Sequence, residues 1–485
     1  MFDDLKRLFR HGGIYLVGNI LNRVGAFVLL PLYTKHLAVA EYGVLELLYT
    51  TVAVISVVFS AGLSHTTLRF YYDYTEERDR HAVVVTNLVT ILMLGIFGAI
   101  AVHFVRGPIS VLLFDTLNYR NALDLCLAIM VLEMSTEIGF AYLRAREQSF
   151  FYVWLSVARL LLQVSLSIYL VARRDMGIDG VLWANLASVA LAWLVVIGYT
   201  FWNCGVTVRT SLIPAMLRYS LPMAGSGVIG AIMLNVDRLL LKEMSSLEAV
   251  GLYALAMKFA MLLTFLVAEP FYRAYGPFRF SILHKENASA IQATVLYFLV
   301  AGASFVALEV ALFMPEVLHF MAAPAYLSAS HYAPLLLAGG IVGAATYCFE
   351  TGILVAKRTN YLLYISVAIL MVKVALNFAL IPWLGIHGAV LAFFVTALVR
   401  ARMINSISQR LFPVAYAYAP LWRIAFIATV VYLASLGLDE HIWMVSIPAK
   451  LLLSGVFAAA LYFTDNEIRR LVDRGILQIK MKHGS

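Results

Sequence analysis

Apolar runs of about twenty residues, separated by short polar breaks, follow one another along almost the whole chain. At a rise of 1.5 Å per residue, ~20 apolar residues cross ~30 Å of hydrocarbon. The pattern predicts fourteen membrane-spanning helices, near 12–35, 44–68, 82–104, 121–143, 150–172, 178–201, 213–240, 250–272, 290–313, 332–355, 361–382, 386–405, 422–438 and 442–463. The seventh run is long and holds Pro214 and Pro222, so a tilt or kink is expected there. The longest polar connections are Tyr71–His81, Arg273–Ser289 and the tail from Asp465, all too short for a soluble catalytic domain. The expected fold class is an all-α polytopic membrane protein.

Composition agrees with the pattern. Of 485 residues, 62% are hydrophobic and only 13% charged, with a mean hydropathy of +0.85. Soluble proteins carry about 25% charged residues. The net charge of +8 reads as basic residues retained on the cytoplasmic side rather than as a nucleic-acid footprint. With the N-terminus inside, the inner segments carry twenty-four basic residues and the outer segments six: Lys35, Arg106, Arg120, Arg173, Arg174 and Lys242. Both termini are therefore expected in the cytoplasm. The start, MFDDLKRLFRH, is acidic then basic, and no small-residue cleavage site follows, so the first run is expected to be retained. Cys126, Cys204 and Cys348 lie far apart in or beside apolar runs, and read as small core residues rather than ligands or disulfides.

An internal repeat is visible. AEYGVLELL, with Gly43, returns as EAVGLYALA, with Gly251, and GIDGV (177–181) returns as GIHGA (385–389), both 208 positions on. LRAREQSFFY (143–152) resembles LVAKRTNYLLY (354–364). Spans 1–6 and 7–12 then form two copies of like orientation, related by an axis along the membrane normal. The expected division is residues 1–208 as an N-terminal lobe, 209–410 as a C-terminal lobe, and 411–485 as two trailing spans with a cytoplasmic tail.

Charges inside such runs need a partner, a cavity or neutralisation. The basic ones are Arg23, Arg159, Arg238, Lys258 and Lys373; Arg69, His65 and Arg273 lie at span ends, and Lys450 reads as interfacial. A guanidinium donates two parallel hydrogen bonds to phosphate. Arg23, Lys258, Arg159, Arg238, Arg273 and Lys373 are thus candidates for a cationic, phosphate-binding cavity. The competing reading is ion pairing between helices or snorkelling to the interface. The intramembrane acids are Glu46, Glu133, Glu137, Asp237, Glu269, Glu309 and Glu350. Glu133 and Glu137 share a helix face at four-residue spacing and could hold a proton or cation between them. With Asp237 they are the candidates for ion coupling. Adjacent Asp237 and Arg238 point in different directions, so a direct pair between them is not expected. Six of the seven tryptophans lie near span ends, as an interfacial belt requires, and Trp193 is deeper.

No Walker A loop and no HExxH occurs, and the outer loops are too short for a membrane glycosyltransferase or ligase site. No metal or organic cofactor is expected, and proton or sodium coupling stays open. A cation-coupled drug antiporter is the alternative to an exporter of anions, and the surplus of intramembrane Arg and Lys disfavours it. A non-transporting scaffold is a further alternative.

The basic start, the run GGIYLVGNILNRVGAFVLLPLYTKHLAVAEYGVLELLYT (12–50), the fourteen spans and the 6+6 repeat with two trailing helices resemble the polysaccharide flippases. These are the O-antigen and capsule repeat-unit translocases of the multidrug/oligosaccharidyl-lipid/polysaccharide (MOP) exporter superfamily, with a MATE-like fold. The likeness covers nearly the whole chain and is sharpest over Leu29–Gly43 (LLPLYTKHLAVAEYG). It implies translocation of an undecaprenyl-diphosphate-linked oligosaccharide across a bacterial inner membrane by alternating access, with Arg23 as a cavity arginine. It implies as partners the lipid-linked oligosaccharide, membrane lipids and a polysaccharide polymerase or co-polymerase, and no nucleic acid.

Overall fold

The computed structural model describes residues 27–283, 285–438 and 443–464. Most of the first expected span, including Arg23, lies outside the described residues. Among those residues the chain is all-helical, and thirteen helices are long and apolar enough to cross a membrane. The helices are α1 (Leu30–His36), α2 (Val39–Ser60), α3 (Thr66–Tyr71), α4 (Glu77–Phe104), α5 (Arg106–Phe114), α6 (Arg120–Ala145), α7 (Ser149–Ser167), α8 (Gly177–Cys204), α9 (Ile213–Met244) and α10 (Leu247–Leu263). They continue as α11 (Glu269–Ser281), α12 (Ala288–Met321), α13 (Ala333–Phe349), α14 (Thr351–Val355), α15 (Asn360–Leu384), α16 (Ile386–Leu411), α17 (Tyr418–Ser435) and α18 (Trp443–Thr464). Contacts divide the chain into two compact units, Met1–Gly251 and Leu252–Ser485.

In the first unit α6 packs between α4 and α8, α7 lies on α8, and α2 packs against α9. The second expected run, 44–68, stops early as a helix. Ala61 and Gly62 adopt left-handed backbone (φ 47° and 67°), and α2 ends at Ser60. Buried Asn87 of α4 holds the turn by donating to Leu63 O (3.0 Å) and to the Thr66 and Thr67 hydroxyls (3.0 and 2.6 Å). α9 runs unbroken through Pro222. It opens the second sequence repeat, yet its packing on α2 places it with the first unit.

In the second unit α15 packs on α16, α13 on α16 and α12, and α12 on α17 and α18. A π-helical turn, Thr264–Ala268, joins α10 to α11 just before Pro270. Proline lacks the amide donor and crowds the carbonyl four residues back, and a π turn relieves both.

The repeat is written into local backbone geometry. Gly177 and Gly385 both take positive φ (53° and 55°) ahead of helices α8 and α16. Three residues on, Gly180 and Gly388 each sit against the end of the preceding element, where a Cβ would come 3.2 Å from Leu170 O and 2.4 Å from Leu380 O. The turns after α6 and α14 also match. Glu147 and Lys357 are left-handed (φ 55° and 56°). Gln148 N donates to Leu143 O (2.9 Å) and Arg358 N to Ile353 O (3.0 Å), the six-to-one bond that closes a Schellman cap. The register there is 210 rather than 208, so the second copy is two residues shorter between this turn and the next glycine.

The first glycine pair meets directly. A Cβ on Gly43 would lie 2.0 Å from Leu247 O, and one on Gly251 2.4 Å from Val39 O. Val39 and Leu247 are themselves repeat-related, so the contact is self-complementary, as an isologous two-fold contact is. Gly43→Ala or Gly251→Ala must drive backbone from backbone. Overpacking of this kind costs about 1–3 kcal/mol, and thermal unfolding of the detergent-solubilised protein is expected to show each variant unfolding several degrees below wild type.

Candidate functional site

The polar centre of the first unit lies where α2 crosses α9. Glu46 of α2 is buried at 4% exposure, and Arg238 of α9 reaches it at 3.6 Å. Arg238 also donates to Asn235 Oδ1 (2.9 Å) and Thr50 Oγ1 (3.2 Å), and Thr50 donates to Asn235 (3.3 Å). Its Nε is buried without a hydrogen-bond partner. Arg238 is therefore neutralised and held. The guanidinium bridges two helices, and its sign is spent on Glu46. Neighbouring Asp237 is almost wholly buried (1%).

Arg159 of α7 meets Glu133 of α6 at 2.6 Å, and Arg144 meets Glu137 at 2.7 Å. The expectation that the two carboxylates share one proton or cation thus meets a different geometry, because each has an arginine of its own.

Glu133 also lines a cavity of about 510 Å³ within the first unit. The other walls are Tyr49, Val52, Ala53, Ser56 and Val57 of α2, Cys126, Ile129 and Met130 of α6, and Asn185 of α8. Tyr49, Ser56 and Asn185 were not legible as site residues. A single hydroxyl or amide in an apolar run carries no sign of which way it faces.

In the second unit Lys373 of α15 is buried (3%), with its ammonium 5.6 Å from the centre of the Phe393 ring, a cation–π distance. Lys258 of α10 is half-buried, and Arg273 of α11 is exposed. Arg279, two turns on from Arg273, is buried at 4%, with one long hydrogen bond to Tyr347 O (3.4 Å) and the rings of Tyr275 and Phe280 beside it. Glu350 sits 3.8 Å from Arg400. The expectation that Lys450 is interfacial is corrected. Lys450 of α18 is fully buried and pairs with Glu316 of α12 at 2.6 Å, and Ser454, one turn on, donates to Glu309 of α12. A carboxylate on the facing helix removes any need to snorkel. Of the span-end residues, Arg69 is exposed and pairs with Asp73, and the side chain of His65 lies outside the described residues. Trp193 donates to Ser135 Oγ (2.8 Å), which satisfies the deep indole. Trp154, Trp202, Trp383 and Trp422 are 70–91% exposed, as a belt requires. All three cysteines are free and buried.

Thirteen apolar spans among the described residues and a duplicated helical scaffold define a multi-pass membrane protein. The chain belongs to the polysaccharide biosynthesis protein family, whose family model matches residues 8–283, more than half of the 485. A search among curated proteins finds no match. Among solved structures the fold is similar to that of the lipid II flippase MurJ in an inward closed conformation. The TM-score is 0.73 at 12% identity, over 92% of this chain and 98% of that one. It is also similar to a multidrug resistance MATE family transporter of the MOP superfamily. Its inward-facing form gives a TM-score of 0.56 at 16% identity, over 82% and 96% of the two chains. Its outward-facing form gives 0.56 at 16% identity, over 84% and 95%. The expected flippase-like, MATE-like fold is therefore the observed one.

The Glu46–Arg238 bridge has a measurable signature. Arg238→Met leaves a buried carboxylate without its counter-charge, which costs about 3–5 kcal/mol. The double variant Glu46→Gln/Arg238→Met is expected to recover most of that loss. Chemical unfolding of the two variants in detergent checks the order.

Proposed function

We propose that this protein is a flippase that moves undecaprenyl-diphosphate-linked oligosaccharide repeat units across the bacterial inner membrane, for surface polysaccharide biosynthesis. The observation that carries this reading is the family match together with a fold shared, over 92% of the chain, with a protein described as a lipid II flippase. The lipid-linked substrate class comes from that relative's description and from the chemistry of the chain. Arg23, Lys258, Arg159, Arg238, Arg273 and Lys373 remain the proposed phosphate-binding set. Within this set Arg159 and Arg238 are paired with carboxylates. The basic-residue bias supports a cytoplasmic location for both termini. Transport proceeds by alternating access, with the diphosphate gripped by cations and the polyprenyl tail left in lipid. Glu133, Glu137 and Asp237 are the groups proposed for proton or sodium coupling, and each charge moved across 100 mV contributes ~2.3 kcal/mol. A polymerase or co-polymerase is the proposed consumer of the delivered unit.

The drug-antiporter alternative wants an acidic cavity for cationic cargo. Glu46, Glu133, Glu316 and Glu350 each face a basic side chain within 4 Å, which argues against it. In a cell whose surface glycan depends on this protein, Arg23→Ala is expected to reduce surface glycan at least tenfold at unchanged protein level, with Arg23→Lys keeping part of it. Normal export in Arg23→Ala would remove the anion role from Arg23.

A further inference from the structure

The 510 Å³ cavity of the first unit is of the size that holds a ligand, about 300–1,000 Å³. Asn185 is 8% exposed, and among the described residues its side-chain amide has no hydrogen-bond partner. The Tyr49 phenol and the Ser56 hydroxyl, both half-buried on the same wall, likewise make no hydrogen bond to any described residue. Phenol, hydroxyl and amide thus offer uncommitted donors and acceptors along one cavity, available to an occupant.

The charge balance says what kind of occupant. Among the described lining residues Glu133 is the one acidic or basic side chain, and Arg159 pairs with it at 2.6 Å. The described part of the lining offers no excess charge to a phosphate, to an ammonium drug or to a dehydrated metal ion. Among the described residues no group of three or more His, Cys, Asp or Glu gathers to hold a metal. Phenol, hydroxyl and amide all both donate and accept, as sugar hydroxyls do. The remaining wall, from Val52 and Ala53 to Ile129 and Met130, is apolar and suits the C–H faces of a pyranose ring. We infer that this cavity is a subsite for a neutral, hydroxyl-rich sugar, read by Tyr49, Ser56, Asn185 and the Glu133–Arg159 pair, and separate from the cations that would hold the diphosphate. This inference rests on the flippase reading and adds to it a determinant of glycan selectivity.

The test uses the full-length protein in detergent and three probes: inorganic pyrophosphate, sodium ion, and the free oligosaccharide that mild acid releases from the producing cell's polyprenyl-diphosphate pool. Binding is read by equilibrium titration for wild type, Asn185→Leu and Tyr49→Phe. Tyr49→Phe keeps the ring and removes only the hydroxyl, which guards against a variant that merely misfolds. The expected result is glycan binding by wild type, weakened at least tenfold in both variants, with pyrophosphate binding unchanged. Glycan binding unaltered in both variants, or no glycan binding by wild type, overturns the subsite. So does a loss confined to the sodium response, which would make the cavity a cation site. Transfer of the intact lipid-linked oligosaccharide across reconstituted vesicles by wild type decides the flippase reading separately. Transfer without glycan binding sinks only the subsite, and absence of transfer sinks the reading it rests on.

Discussion

Charge neutralisation inside an apolar slab is the constraint on which the rest of this structure depends. A lone guanidinium, ammonium or carboxylate among hydrocarbon is costly by several kcal/mol. Three pairs meet that cost by matching signs across helices. Glu46 of α2 faces Arg238 of α9, Glu133 of α6 faces Arg159 of α7, and Glu316 of α12 faces Lys450 of α18. Each pair ties two spans at a defined depth and register. Apolar packing alone specifies this poorly in a membrane, where lipid tails are as good a neighbour as leucine. Replacing such a pair by apolar residues can be neutral in energy. Their value here lies in fixing which helices meet, and where.

Small residues complete what the charges begin. Helices associate in lipid through close backbone approach, and Gly43 and Gly251 let α2 and the start of α10 touch through main-chain atoms. Because the two glycines are the same position in the two repeats, one sequence feature supplies both sides of the contact. Gly180 and Gly388 do the equivalent at the hairpins that precede α8 and α16. The repeat thus survives where backbone geometry is demanding and has drifted elsewhere, as the change of register from 210 to 208 shows.

The consequence for function is a division of labour among polar groups. Several basic residues that look available in the sequence are occupied with structural carboxylates. In the first unit the described polar side chains that line the cavity are, apart from the paired Glu133, uncharged. The proposed substrate, with an anionic diphosphate, a neutral glycan and an apolar tail, would ask for three chemically distinct surfaces.

The class of protein, the approximate position of the spans, the orientation bias and the duplication are all legible in the amino-acid sequence. These are properties of single segments: length of an apolar run, basic residues in a loop, or a glycine that must adopt positive φ, as at 177 and 385. The early end of α2 at Ser60 was not visible, because Ala61 and Gly62 turn only with Asn87 of another helix to hold them. Which charge meets which was also decided by tertiary structure. Nothing in the neighbourhood of Lys450 announces Glu316, 134 positions earlier, yet their pairing turns an expected interfacial lysine into a buried one. Arg159 and Arg238 likewise carry the same formal charge in the sequence whether they face a carboxylate or an open cavity. The energy of a charge is set by what lies within a few ångströms of it, and only folding brings those neighbours together.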